Sequence, residues 1–330
     1  MTTKQHGAKF SAGKLLSDWG AVIAIVLACG IFTVGAGSTF ASTSNVITIL
    51  RSISITTVIA MGATFGFSVG MFDLSFGSVA TVGAAFSVTF IAWYGIPMVP
   101  ALLLTIVCCC VVGLINSLVV IKLHVPAFLA TLAMQFILDG FVMTYSGGAV
   151  INPKITSAGG QSVVAAIPES FWQLGKAPMI IIIMFVCVAI VEVFQGYTRH
   201  GRMLYVVGAN AEAAKLSGIN ANRYKIFAFI AITVFSAIAG ILIASRAGTV
   251  QSTAGAAFLM PSIAAVNIGM SFAGRGKPSA IGTLVGAALI GVVENGLYAM
   301  AFPYYSINIV KGLILLAALV MSHYTSKNNA

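Results

Sequence analysis

Ten apolar runs of about 20 residues, parted by short polar breaks, constrain this chain more than any single motif. Each is long enough to cross the ~30 Å hydrocarbon core of a bilayer as a helix. They fall at 19–40, 46–71, 75–95, 98–121, 126–145, 178–196, 226–245, 255–272, 279–300 and 305–323. The second and third are separated only by the stretch from Gly70 to Gly77. Composition agrees: 59% of the 330 residues are hydrophobic and 7% are charged, against about a quarter charged in a soluble domain. The expected fold is an all-α polytopic membrane protein of about ten transmembrane helices.

Basic residues orient such a chain, because Lys and Arg gather in cytoplasmic loops. With the N-terminus inside, cytoplasmic segments hold twelve of the seventeen Lys and Arg residues. The outer segments hold four: Arg51, Lys154, Lys176 and Arg246. Lys311 falls within the last run. This asymmetry predicts an N-in, C-in topology. It divides the chain into a cytoplasmic tail (1–18), one transmembrane domain (19–323) and a cytoplasmic C-terminal tail (324–330). An external loop is expected at 146–177, with a short helix near Pro168 to Trp172, and a cytoplasmic loop at 197–225. The net charge of +10 does not point to nucleic acid, because the basic residues mark helix ends rather than one amphipathic surface. The five cysteines lie in apolar runs without CxxC spacing or histidine partners, and read as membrane-embedded thiols rather than metal ligands or disulfides.

The polar island at 198–225 stands apart from the apolar runs. It carries Arg199, Arg202, Lys215, Arg223 and Lys225. It also carries a short helix signal: Asn210 as N-cap, Glu212 in the first turn and Gly218 as the stop. One short amphipathic helix between membrane spans is expected to touch something outside the bilayer.

Polar side chains within the spans are costly and are functional candidates by default. The strongest group is Gly70-Met71-Phe72-Asp73-Leu74-Ser75-Phe76-Gly77-Ser78. Asp73 and Ser75 either cap a helix starting at Leu74 or line a path, and the two roles are compatible. Asn116 and Asn295 either bond substrate hydroxyls or tie helices together. Phe65, Phe67 and Phe72 gather in sequence around the break and read as packing or as a stacking surface. Asp139 and Glu294 read as solvated span ends, and Glu192 as a partner for Arg199 or Arg202. The motif Gly113-Leu-Ile-Asn116 echoes Gly291-Val-Val-Glu-Asn295 on an oppositely directed span. That echo suggests an inverted repeat flanking the island.

No G-x-x-x-x-G-K-[ST] phosphate loop, HExxH or nucleophile elbow occurs, so the chain is not expected to hydrolyse ATP or to be an enzyme. The scattered carboxylates Asp73 and Glu294, with Lys311, leave a second reading: an ion-coupled secondary sugar carrier acting without an ATPase.

Three blocks resemble the membrane permease subunit of bacterial ribose-, xylose- and galactose-type sugar ABC importers. The first is the Gly70–Ser78 stretch, similar to the family's Gly-Gly-Ile-Asp-Leu-Ser-Val-Gly-Ser. The second runs from Gly201-Arg202 through Gly208-Ala209-Asn210-Ala211-Glu212-Ala213-Ala214-Lys215-Leu216-Ser217-Gly218-Ile219. The third contains Asn267-Ile268-Gly269, Gly274-Arg275-Gly276, Gly282-Thr283, Gly286 and Asn295-Gly296. Met71, Phe76 and Met270 depart from it, standing where Gly, Val and Gly are usual. The resemblance implies a permease without catalytic residues in the inner (plasma) membrane, and no cofactor in this chain. ATP and Mg would be bound by a partner ATPase. It further implies a second permease copy or paralogue and an external sugar-binding protein delivering a pentose or hexose. Asn210, Glu212, Ala213, Ala214, Leu216, Ser217 and Gly218 would form the coupling helix on the ATPase. The substrate path would draw on Phe72, Asp73, Ser75, Asn116, Asn267 and Asn295.

Overall fold

The computed structural model describes residues 12–156, 162–164, 167–272 and 276–303, and beyond these 306, 309–310, 312–313 and 316. The expected span 305–323, Lys311, Gly274 and Arg275 therefore lie wholly or largely outside the described residues, as do the last tail and most of the first.

The apolar runs become helices close to their expected limits. In chain order these are α1 (Ala12–Ala36), α2 (Thr43–Ser68), α3 (Phe76–Ala92), α4 (Met98–Lys122) and α5 (Ala127–Tyr145). After the 146–177 segment come α7 (Met179–Tyr197), α8 (Arg199–Ala209), α9 (Ala211–Leu216), α10 (Ala221–Ala247), α11 (Leu259–Met270) and α12 (Ala280–Ala299). The 146–177 segment itself carries a two-stranded antiparallel ribbon, β1 (Lys154–Thr156) with β2 (Ser162–Val164), and the short α6 (Glu169–Leu174). The expected helix near Pro168 is thus α6, with Phe171 buried at its centre. Seven described helices are long and apolar enough to cross a membrane: α1, α2, α4, α5, α7, α10 and α12.

Three limits differ from expectation. The α1 helix begins at Ala12, ahead of its membrane-length window, which starts at Trp19. The α10 helix begins at Ala221, inside the island, because Asn220 caps it by accepting from the Arg223 N–H at 3.3 Å. The run 255–272 is not a full span. Its α-helix has 12 residues, preceded by one 3-10 turn (Ala256–Phe258) and an irregular stretch from residue 249. At 1.5 Å per residue such a helix covers only about 18 Å.

Helices α2, α3 and α10 form the core. Nearly every residue of α10 from Ala228 to Ser245 and of α2 from Ile53 to Gly66 is buried. The flanking α4, α5 and α7 instead expose Leu103, Phe136 and Ile182 on one face. Small residues permit the central contact. A Cβ on Gly240 of α10 would overlap the Ala80 carbonyl of α3, and a Cβ on Gly83 would lie 3.1 Å from Ala237. Close backbone approach of this kind drives helix association where no hydrophobic contrast with lipid exists. Gly240→Val is therefore expected to destabilise the bundle by about 1–3 kcal/mol or more through overpacking, seen as a lowered thermal midpoint of the detergent-purified chain.

Candidate functional site

The island folds locally, and each turn has a visible cause. Thr198 caps α8, its Oγ1 accepting from the Gly201 N–H at 3.0 Å. The sharp α7–α8 corner needs Gly201, where a Cβ would overlap the Phe194 carbonyl. Asn210 caps α9, its Oδ1 accepting from the Glu212 and Ala213 N–H groups at 3.0 Å each. The end of α9 is a Schellman turn. Gly218, at φ +77°, donates to Lys215 O at 3.0 Å, and Ile219 donates to Ala214 O at 2.9 Å. Asn210 and Gly218 thus hold the places expected of them.

Two features of the island go beyond the single helix expected. The 11-residue α8 precedes α9 and buries Gly201, Leu204 and Val207, a three-residue spacing that was legible behind the Thr198 cap. Within α9, Ala214 is 1% exposed and packs inward, whereas Leu216 is 91% exposed and Glu212, Ala213 and Ser217 also face outward. Ala214 therefore anchors the helix instead of offering it to a partner.

The second site is the break between α2 and α3. The chain leaves α2 through Gly70 at φ +71°, and the Met71 N–H returns to Gly66 O at 2.9 Å. Asp73 Oδ1 accepts from both the Ser75 N–H and the Ser75 hydroxyl at 2.6 Å. Asn116 Nδ2 of α4 donates to Ser75 Oγ at 3.0 Å. The Leu74 N–H donates to Thr131 Oγ1 of α5 at 3.0 Å. A polar chain thereby ties the break to α4, and a separate bond ties it to α5. Asp73 Oδ2 is buried without a hydrogen-bond partner. The helix starts at Phe76, not Leu74, and Ser75 at its N-cap makes no side-chain cap. Asp73 therefore organises the turn ahead of α3 instead of capping it.

The structure joins Asp73, Ser75 and Asn116 by hydrogen bonds, and the Asn267 side chain bonds elsewhere. Phe72 is 50% exposed and packs edge-on to Phe67 at 4.7 Å, while Phe65 meets Phe194 and Phe227 edge-on and stacks on Phe235. Asn267 donates to Ile263 O of its own helix at 2.9 Å, and Asn295 Oδ1 is buried without a partner. Other acidic residues meet neighbouring elements. Asp139 accepts from the Ser78 hydroxyl at 2.6 Å, tying α5 to α3. Glu192 accepts from the Ile281 N–H at 3.3 Å, at the start of α12. Glu294 lies near enough to Arg246 to act on it electrostatically. Arg246 in turn donates to Arg51 O at 3.3 Å. Cys109 and Cys187 are buried and the other three cysteines half-buried. No group of three His, Cys, Asp or Glu side chains that could hold a metal ion gathers among the described residues.

The two sites touch. Gly208 of α8 lies against the Ser68 carbonyl and the Gly70 N–H, where any Cβ on Gly208 would overlap. Gln195 Nε2 donates to Ser68 Oγ at 3.1 Å, and the Tyr205 hydroxyl donates to Pro278 O at 2.7 Å. The helix before α9 is thus held at Gly208 against the end of α2, where the break begins.

These features define a permease. Residues 45–319 match the family described as "Branched-chain amino acid transport system / permease component". The chain belongs to this family, within its sugar ABC importer permeases. It is 31% identical to a ribose import permease protein of Haemophilus influenzae, covering 97% of this chain and 98% of the relative. It is 28% identical to a ribose import permease protein of Escherichia coli, covering 98% and 99% respectively. A xylose transport system permease protein of the same organism is also 28% identical, covering 94% and 91%. No solved structure matches the chain. The protein is a multi-pass permease subunit of the bacterial inner membrane, not an enzyme.

The cap geometry makes a direct expectation. Asn210→Ala should remove about 1 kcal/mol from α9, raising amide exchange over 211–216 while exchange over α10 stays unchanged.

Proposed function

We propose that this chain is the membrane-spanning subunit of an ATP-driven importer for a pentose or hexose delivered by an external binding protein. In this reading α9 is the coupling helix, docked on a cytoplasmic ATPase that binds ATP and Mg. A second permease, either another copy or a paralogue, completes the transmembrane core. One observation carries the assignment: α9 is locked at both ends and by Ala214, yet holds Leu216 almost wholly in solvent beside Glu212. An exposed leucine on a rigid six-residue helix is suited to a groove in a partner. Ribose and xylose import relatives support the sugar class.

The topology proposed is ten spans, N-in and C-in, with single short tails around one transmembrane domain. An inverted repeat of five spans accords with it. The third and eighth spans are the two short ones, α3 and α11, and the Gly-and-Asn motifs lie on the fourth and ninth. In transporters, paired interrupted helices of this kind border the substrate site. The path is placed along Phe72, Asp73, Ser75, Asn116, Asn267 and Asn295. Asp73 is 6% exposed and Ser75 and Asn116 are buried, so the path would open by drawing the 69–75 break away from α4. Closure of the ATPases would move α9. Its attachment at Gly208 would carry that motion to Gly70 and the break, a rigid-body switch between two discrete packings.

Glu212→Lys or Leu216→Asp in the assembled transporter should lower sugar-stimulated ATP hydrolysis about tenfold or more, the equivalent of ~1.4 kcal/mol of lost contact, while insertion and folding survive. Unchanged hydrolysis would remove the coupling role. Uptake by the purified chain alone under an ion gradient would instead favour the secondary carrier. The path has its own test: alanine at Asp73 and Asn116 together is expected to slow transport without dissociating the complex. An unchanged rate would reduce both residues to helix ties.

A further inference from the structure

Arg199 and Arg223 line a cavity that neither the coupling contact nor the buried polar chain employs. It has a volume of about 570 Å³ and lies where the end of α7, the start of α8 and the start of α10 meet. Its apolar wall is Phe194, Met203 and Phe227. The wall is rigid, since Phe194 and Phe227 stack at 5.1 Å and 19°, and both meet Phe65 edge-on at 5.7 Å. Beside the two arginines His200 completes a basic rim, with its Nδ1 3.1 Å from the Tyr224 hydroxyl.

Three properties select a ligand class. The lining contains two guanidinium groups and no carboxylate among the described residues, so a neutral sugar would leave both charges uncompensated. The adjoining cavity beneath α9 differs, because there Glu212 sits among Lys215, Lys225 and His124. The 27-residue α10 also starts at this cavity, and its positive end adds to the attraction for an anion. Finally, the lining combines Phe194 and Phe227 of the apolar spans α7 and α10 with Arg199 and Arg223 of the polar island. A ligand that satisfies both has a phosphate head and an apolar tail. The ammonium of a zwitterionic lipid would find no anionic partner here.

We propose that this cavity binds the headgroup of an anionic phospholipid in the cytoplasmic leaflet. The phosphate sits between Arg199 and Arg223, and the acyl chains leave past Phe194 and Phe227. The proposal rests on the inward orientation of the island given above. Gly218, Ile219 and Asn220, which connect α9 to α10, also line the cavity. A bound headgroup therefore ties α8 to α10 across the base of α9, and lipid composition sets how firmly the proposed coupling helix is held.

The test uses the purified full chain in neutral detergent, without sugar or ATPase, so its outcome is separate from that of the coupling contact. Thermal unfolding is followed with added phosphatidylglycerol, phosphatidylcholine or inorganic phosphate. Phosphatidylglycerol should raise the midpoint by several degrees, as any ligand of the folded state does, and the other two should not. Arg199→Gln with Arg223→Gln should abolish that rise, whereas Arg202→Gln, outside the lining, should keep it. Met203→Trp fills the cavity while retaining both arginines and should also abolish it, which covers the case in which the double variant does not fold. An equal rise with phosphatidylcholine, or a rise that survives in Met203→Trp, would overturn the proposal. An equal rise with inorganic phosphate would make this a free-anion site and overturn the lipid assignment. Displacement of the lipid by the ATPase subunit on assembly would give the cavity to that contact instead, with the same consequence.

Discussion

Backbone that leaves a helix inside an apolar bundle must find its hydrogen bonds within the protein, because lipid offers none. This chain leaves helical structure twice where it is surrounded by its own spans, at 69–75 and again before α11. At the first break Gly66 O, Asp73 Oδ1 and Thr131 Oγ1 receive the freed amides. At the second, the Gly255 N–H donates to Thr81 Oγ1 at 2.9 Å. The two breaks also pack together, since a Cβ on Gly255 would overlap the Gly77 carbonyl. Irregular backbone at depth is thus paid for by neighbouring helices, and each break depends on the exact neighbours it has.

That dependence explains the site. Asp73 is not held by solvent or by an opposite charge but by Ser75, and Ser75 by Asn116 from another helix. The end of α2, immediately before, is gripped by Gly208 of the island and by Gln195 of α7. Interfaces built on backbone contact at glycine have little give, since well-packed interiors transmit displacement. In the proposed switch, a shift of α8 and α9 would therefore be passed to the break rather than absorbed locally.

Part of this was legible without coordinates. The limits of α4, α5, α7 and α12 follow their apolar runs because hydropathy and length report burial directly. The Asn210 cap and the Gly218 stop follow from residues three to eight positions apart, so local chemistry suffices. The α2–α3 break announced itself by Gly70 and Gly77. The shortening of α11 did not. The apolar run 255–272 satisfies a hydropathy criterion whether its backbone is helical or not, and Thr81, which holds Gly255, lies 174 residues away. Likewise Asp73 looked like the cap of its own helix, because the roles of Ser75 and Asn116 depend on a contact 41 residues long in sequence. The departures Met71 and Phe76 are both buried, Phe76 at 1% exposure, so they fill the core next to the break.

The sequence by itself determined that this is a multi-helix membrane protein with one capped helix standing in a polar loop. Those properties arise from how each segment partitions between water and lipid and from hydrogen bonds closed within a few residues. Only the tertiary structure decided which polar residues meet. It joined Asp73 to Asn116 through Ser75, and turned Ala214 inward and Leu216 outward. It also placed Arg199 and Arg223 around one cavity. Such pairings are set by the crossing of helices distant in sequence, whose close approach depends on glycines such as Gly208 and Gly240 and on no local pattern.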